Sequence, residues 1–167
     1  MLLYIAVTQA QVGDTEAALA TASAIENSAR RLVSQAKSHA RAGGDPASSG
    51  GIEVARETAA LALALALKIK DEGDRRNILT DVAAAQAAAG DIEAARDTLS
   101  LALALALKIK DEFYRQNLLT SVAVAQAEVG EIEAARETGM LALVIVLKIE
   151  DAHMRANALA SLMPAFR

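Results

Sequence analysis

Polar side chains that could bind a ligand recur at a fixed spacing of forty residues along this chain. The asparagines are Asn77, Asn117 and Asn157, and Thr80 and Thr120 follow the first two by three residues. An asparagine side chain both donates and accepts hydrogen bonds, so such a ladder could bind a peptide backbone. Asparagine is also common at the starts of helices, so capping, or contact between neighbouring units, is the structural alternative.

Arginines recur with the same period, at Arg75, Arg115 and Arg155. Each follows an aspartate by four residues, and on a helix such a pair contributes about 0.2–0.5 kcal/mol when it is exposed. We interpret the three arginines as structural. A ladder that binds an anionic ligand is the functional alternative.

Catalysis and metal binding find no support in the residue types or in their spacing. His39 and His153 are far apart, and neither lies in a pattern of serine or acidic partners typical of a catalytic site. The chain has no cysteine, and we find neither a metal-binding spacing nor a phosphate-binding loop. We therefore predict no enzyme activity, no cofactor and no metal.

Charge and hydropathy argue against two further classes of protein. The net charge is −4 and no basic stripe is interleaved with aromatic residues, so nucleic acid is a poor candidate partner. The longest apolar runs, 59–67 and 140–147, are far shorter than the roughly 18 residues needed to span a bilayer. The N-terminus lacks the basic region of a signal peptide, so we expect a cytoplasmic protein by default.

An internal repeat determines the elements that must position these side chains. The block LALALALKIKDE occurs unchanged at 61–72 and 101–112 and returns as LALVIVLKIEDA at 141–152. A repeat of this length is typical of one supersecondary unit stacked on copies of itself. Because Ala, Leu, Glu, Lys and Arg favour helix, we predict an all-α solenoid of antiparallel helical hairpins without strands.

Each repeat is predicted to contain two helices joined by a tight turn. The first, Arg76 to Ala89, ends at Gly90, which can adopt the left-handed conformation that terminates a helix. The second runs from Asp91 to Lys110, with acidic residues first and lysines last, as the helix dipole favours. Apolar spacing predicts a buried stripe on the first helix, comprising Leu79, Val82, Ala83 and Gln86 and their copies Leu119, Val122, Ala123 and Gln126.

Leucine and alanine alternate in the second half of the second helix. At 3.6 residues per turn the leucines are distributed around most of the helix, so one neighbouring hairpin cannot cover them all. They either fill the core between successive units or pair with a second chain. A surface for self-association would comprise Leu101, Leu103, Leu105, Leu141, Val144 and Val146.

The forty-residue unit resembles the tetratricopeptide repeat. The resemblance rests on TQAQVGDTEAAL (8–19), AQAAAGDIEAAR (85–96) and AQAEVGEIEAAR (125–136), where a Gly-Asp type turn precedes a helix that begins with small residues. The usual unit has about 34 residues, so we expect the extra residues as nearly two additional turns of the second helix. Gln86 and Gln126 also stand where a tyrosine is common. Armadillo and HEAT repeats have periods nearer forty and remain the alternative, although neither typically carries this turn.

The repeat register gives one domain over 1–167, with units at 1–28, 29–71, 72–111 and 112–150 and a terminal helix at 151–164. The segment GGDPASSG at 43–50 is expected to be a loop that splits the second unit.

The resemblance implies a right-handed solenoid whose first helices line a concave groove that binds a peptide or helix of a partner protein. A competing interpretation is a structural or designed-like array without a ligand, because a repeated identical block implies recent duplication or construction. We also expect self-association. The groove residues would be Asn77, Thr80, Ala84, Asn117, Thr120, Val124, Glu128 and Asn157.

Overall fold

The computed structural model describes residues 15–42 and 50–167, and the ordered elements in these ranges are all helical. This confirms the all-α prediction for the described part of the chain. The turn expected at Gly13 and the loop expected around Pro46 lie outside the described residues. The helices are α1 (Thr15–Ala42), α2 (Gly50–Ala66), α3 (Glu72–Ala88), α4 (Ile92–Ala106), α5 (Glu112–Glu128), α6 (Ile132–Val146) and α7 (Ala152–Leu162), followed by a 3₁₀ helix (Met163–Phe166).

The helices pack in consecutive pairs, an arrangement consistent with a helical repeat solenoid. They form two compact units, residues 1–90 and 91–167. In the first unit α1 packs on α2 and α3, and α2 packs on α3. In the second unit α5 packs on α4 and α6, and α7 and the 3₁₀ helix pack on α5 and α6.

Helix α1 is unbroken over 15–42, so the unit boundary expected after residue 28 falls inside one helix. The segment contains neither glycine nor proline, and nothing in it favours a turn. A single buried stripe crosses the expected boundary at helical spacing, formed by Ile25, Ala29, Val33, Ala36 and Ala40.

The first helices of the repeats start at aspartate caps. Asp71, Asp111 and Asp151 each accept a hydrogen bond from the backbone N–H three residues further on, at 2.9, 3.0 and 2.7 Å. An N-cap of this kind satisfies a backbone donor that has no partner within the helix. The aspartates therefore fix where α3, α5 and α7 begin.

The prediction that the second helix continues to Lys110 is wrong. Helix α4 ends at Ala106, and the N–H groups of Lys108 and Ile109 turn back to carbonyls three residues earlier, at 3.1 Å each. The chain then becomes extended before Asp111, the cap of the next helix. Part of the extra length of the repeat therefore lies in the loop between helices.

The turns between the first and second helices are as predicted. Gly90 and Gly130 have φ values of 71° and 85°, the left-handed region that glycine adopts without steric cost. After Gly130, the N–H of Glu131 donates to the carbonyl of Gln126 at 2.8 Å, which satisfies a carbonyl at the end of α5.

Alanine is the commonest buried residue of the second helices, although larger residues such as Leu99 and Val146 are buried there too. In α4 the fully buried residues include Ala95, Ala102 and Ala106, whereas Leu101 and Leu107 are 37% and 55% exposed. Short side chains let neighbouring helices approach closely. The predicted stripe on the first helices is buried in both copies, at Leu79, Val82, Ala83, Gln86, Leu119, Val122, Ala123 and Gln126.

Gly139 of α6 leaves room for an aromatic ring from the C-terminal 3₁₀ helix. A Cβ atom at this position would lie 2.9 Å from Cζ of Phe166. The equivalent positions in the repeats are Ala59 and Leu99, both buried. Phe166 thus occupies the space that a side chain at position 139 would need.

Gly139→Leu should destabilise the chain by about 1–3 kcal/mol, because the leucine and the Phe166 ring cannot share this space. In a Phe166→Ala background the same substitution should cost clearly less, since the ring is gone. Urea unfolding of the four chains of this double-mutant cycle gives the coupling free energy. Equal costs in the two backgrounds would show that Phe166 does not occupy the site.

Candidate interaction surface

Ion pairs show which helix ends lie together in the second unit. Nζ of Lys148, just after α6, lies 3.0 Å from Oε1 of Glu112 at the start of α5, so α5 and α6 are antiparallel. Arg96 near the start of α4 pairs with Glu131 at the start of α6. Because Asp151 follows Lys148 by only three residues, α5 and α7 both begin at this end of the unit.

The candidate interaction surface comprises the outward side chains of α5 and α7, and we call it the first-helix face. Its spacing of three and four residues places them on one side of each helix. It consists of Phe113, Tyr114, Asn117, Ser121, Val124 and Glu128 of α5, and His153, Asn157 and Ser161 of α7.

Two of the asparagines that were predicted to line the groove, Asn117 and Asn157, lie on this face. Asn117 is half-buried and Asn157 is exposed, and neither caps a helix, because Asp111 and Asp151 do so. Within the described part of the chain, neither side-chain amide makes a hydrogen bond, while Ser121 Oγ donates to the backbone carbonyl of Asn117 at 3.1 Å. Both amides can therefore donate to and accept from a peptide laid across them.

The remaining predicted groove residues differ in accessibility. Val124 is half-buried and Glu128 is exposed, as a contact surface requires. Thr120 is only 7% exposed, and its Oγ1 accepts a hydrogen bond from Nε2 of Gln116 at 3.1 Å. The expectation that Thr120 contacts a partner is wrong, because its side chain is buried inside the unit.

In the first unit, the corresponding residues lie on α3. Asn77 is exposed, and its Oδ1 accepts a hydrogen bond from Nε of Arg76 at 3.2 Å. Thr80 is half-buried and donates to the backbone carbonyl of Asn77 at 2.9 Å. Ala84, one turn further on, is half-buried.

An aromatic pair at the start of α5 was missed by sequence reasoning. Phe113 and Tyr114 are 55% and 52% exposed, and their rings meet edge to face with centroids 5.7 Å apart. The signal was available, since aromatic residues make up only 2% of the chain and the equivalent positions are Gly73 and Asp74 in one repeat. Phenylalanine and tyrosine are both enriched at the cores of protein interfaces, and tyrosine is also enriched at binding hot spots.

The arginine ladder is part of the turn between helices. Nη1 of Arg75, Arg115 and Arg155 donates to the carbonyl of the isoleucine six residues earlier, at 3.2, 3.2 and 2.6 Å. Arg115 also contacts Glu112, at 3.4 Å. These contacts support the structural interpretation of the ladder.

Arg115→Met should lower the free energy of unfolding by about 1–3 kcal/mol, because the part-buried Ile109 carbonyl loses a charged donor. Arg136→Met, which changes an exposed arginine on α6, is the matched control and should change stability by less than about 0.5 kcal/mol. Urea unfolding monitored by circular dichroism measures both. Equal losses would show that the Ile109 contact is not the source of the effect.

No protein-family model matches this chain, and no curated protein is significantly similar to it. The tetratricopeptide resemblance therefore stays a prediction.

The residues expected to mediate self-association are only partly accessible. Leu101, Leu141 and Val144 are 37%, 47% and 56% exposed, and Leu103 and Leu105 are half-buried. Val146 is fully buried, so it is not available to a second chain. It occupies the inward position held by Ala66 and Ala106 in the other repeats.

An open apolar recess of about 260 Å³ is lined by Leu143, Leu159, Leu162, Met163 and Phe166. Within the described ranges, no group of three or more His, Asp or Glu side chains is placed to hold a metal ion. Among the described helices, none combines the length and apolarity that crossing a membrane requires.

Ion pairs join α1 to α3 in the first unit. Arg30 lies 3.5 Å from Asp74, and Lys37 lies 3.0 Å from Asp81. Partial burial and the neighbouring carboxylates of Glu26 and Asp71 raise the pKa of Asp74 above its ordinary value of 3.8, although Arg30 opposes the shift. The charged form of Asp74 is therefore disfavoured in the folded state.

Asp74→Asn should stabilise the chain at about pH 7 by no more than a few tenths of a kcal/mol, because solvent screens this half-exposed carboxyl. Because the pKa of Asp74 is raised in the folded state, the charged carboxyl destabilises the folded chain as the pH rises through the folded-state pKa. This destabilisation vanishes below the unfolded-state pKa. The advantage of the variant should therefore disappear at about pH 3, which lies below the unfolded pKa. Urea unfolding at the two pH values measures the difference, and an advantage that persists at the lower pH would contradict this account.

Proposed function

We propose that this chain is a protein-interaction module of the tetratricopeptide type, which binds an extended peptide or a helix of a partner protein across its first helices. The observation that carries the proposal is the exposed aromatic pair, Phe113 and Tyr114, one turn before Asn117 on the first-helix face. Large exposed aromatics add no support to the chain's own core, but they bury area readily against a partner.

The neighbouring groups on the face supply polar recognition. Asn117 and Asn157 can pair with the backbone of a bound peptide, whose N–H and C=O groups would otherwise lose hydrogen bonds to water on binding. Glu128, at the far end of α5, is exposed and favours a basic residue in the ligand. We therefore propose a ligand with an apolar anchor near Phe113 and a basic residue about four helical turns away, toward Glu128.

The competing function is a purely structural array with no ligand. The identical twelve-residue block favours it, because duplication alone can produce regular hairpins. The aromatic pair favours binding instead, because it interrupts the repeat at two positions whose side chains are more than half exposed.

Selection from a displayed peptide library against the intact chain should yield peptides with an apolar anchor. The double variant Phe113→Ala with Asn117→Ala should bind them about tenfold or more weakly, because it removes the anchor contact and a polar contact. Leu107→Ala on α4 is the matched control, since Leu107 is as exposed as Phe113, at 55% each. Isothermal titration calorimetry measures the affinities.

Two outcomes would overturn the proposal. Selected peptides that bind the double variant and the wild type equally would show that the first-helix face is not the binding surface. A library that yields no specific binder would favour the structural array. Circular dichroism confirms that the variants stay folded, as expected for substitutions at accessible positions.

A further inference from the structure

The outward surface of α6 carries larger apolar side chains than the equivalent surfaces of α2 and α4. The exposed residues Ala60 and Ala64 of α2 correspond to Ser100 and Ala104 of α4, which are also exposed. On α6 the same two positions are Met140 and Val144, which are 53% and 56% exposed. The exposed parts of these larger apolar side chains add nothing to the chain's own packing, so these substitutions point to a partner.

The exposed apolar residues of α6 form one continuous stripe. Met140, Leu141, Val144 and Leu147 follow one another at spacings of one, three and three residues, and all are about half exposed or more. At 3.6 residues per turn they occupy about a third of the circumference of the helix. This α6 stripe is long and narrow, the shape that another helix covers.

Charges of opposite sign lie at the two ends of the α6 stripe. Glu133 and Glu137 are exposed at its N-terminal end, with the exposed Arg136 just beyond one edge of the stripe, and Lys148 is exposed at its C-terminal end. Lys148 contacts Glu112 at 3.0 Å, but its ammonium has three donors and its side chain is 60% exposed, so it can hold a second carboxylate. Glu137 makes no ion pair with any described residue. The stripe is thus complementary in charge to a copy of itself running in the opposite direction.

We propose that α6 forms a two-fold homodimer by packing antiparallel against α6 of a second copy of this chain. In the register that matches the charges, Leu141 of one copy faces Val144 of the other, and Glu137 faces Lys148. The two-fold axis repeats each contact, so the apolar pairs and the ion pairs each occur twice. The surface expected from the sequence to mediate self-association included residues of α4 and α6, and this interface uses α6 alone.

The proposal does not depend on peptide binding. The α6 stripe lies on a second helix, whereas the first-helix face lies on α5 and α7. Loss of one activity in a variant therefore leaves the other measurable, and failure of either proposal is distinguishable from failure of the other.

Sedimentation velocity of the intact chain from about 1 μM to about 1 mM covers the affinities of weak and moderate complexes. The wild type should shift from monomer to dimer within this range. Met140→Ser with Val144→Ala, which restores the residues of α4, should raise the dimer dissociation constant about tenfold or more, because each copy loses two apolar contacts. Leu101→Ala with Leu107→Ala makes the matched apolar change on α4 and should leave the constant unchanged.

Charge reversal tests the register. Glu137→Lys and Lys148→Glu should each weaken the dimer about threefold to tenfold, and the double variant should restore it, because the pair is re-formed with its signs exchanged. Asp97→Lys, at the equivalent exposed position of α4, is the control and should have no effect.

Single cysteines report the orientation, because the chain has none of its own. A mixture of the Glu137→Cys and Lys148→Cys chains should form a mixed disulfide dimer on oxidation, whereas each chain alone should not, because like positions are too far apart to bridge. Homodimers of each chain alone would indicate a parallel pairing and overturn the proposal. A strict monomer throughout the concentration range, or a dimer that only the α4 variant weakens, would also overturn it.

Discussion

The structure depends on the close approach of helices at faces lined by small side chains. In the alternating leucine and alanine segment, Ala102 and Ala106 are fully buried, and Leu101 and Leu107 face outward. An alanine face brings neighbouring backbones together, and a leucine face would hold them apart. The same choice of face explains why leucines of the repeat remain exposed.

Contacts within the repeated turn fix the positions of the surface residues on the first helices. Asp111 fixes the first residue of α5, and Arg115 holds the preceding loop through the carbonyl of Ile109 at 3.2 Å. These two contacts fix the position of Phe113 and Tyr114 at the start of the helix. Because Asp151 and Arg155 repeat the arrangement, Asn157 stands at the same place on α7 as Asn117 does on α5. The polar ladder is thus a consequence of the turn.

Features that depend on local backbone chemistry could be predicted from the sequence. The forty-residue period, the left-handed glycines at Gly90 and Gly130 and the buried stripe around Leu79 all follow from residue type and spacing. The end of α4 could not be predicted in this way, because neither glycine nor proline stops the helix at Ala106. It ends there because a cap and an arginine, several residues later in the chain, stabilise the loop.

The sequence also did not determine which side chains of a helix face inward. An alternating segment places apolar residues on every side of a helix, so its pattern does not say which residues face inward. Val146 was expected outside and is buried, and Thr120 was expected on the groove and is also buried. The unbroken α1 was missed for another reason, because the repeat register was extended across 28 and 29 where the sequence gives no sign of a turn.

Cysteine labelling in this cysteine-free chain tests the inward placement of the alanines most directly. Leu101→Cys and Ala102→Cys differ by one residue, yet the first position is 37% exposed and the second fully buried. Under native conditions at concentrations where the chain is monomeric, a maleimide should label the first variant at a rate near that of an unfolded control. It should label the second at least about tenfold more slowly, because the thiol must wait for local opening. Equal rates, or faster labelling at position 102, would contradict the account, because the leucines would then form the packed face.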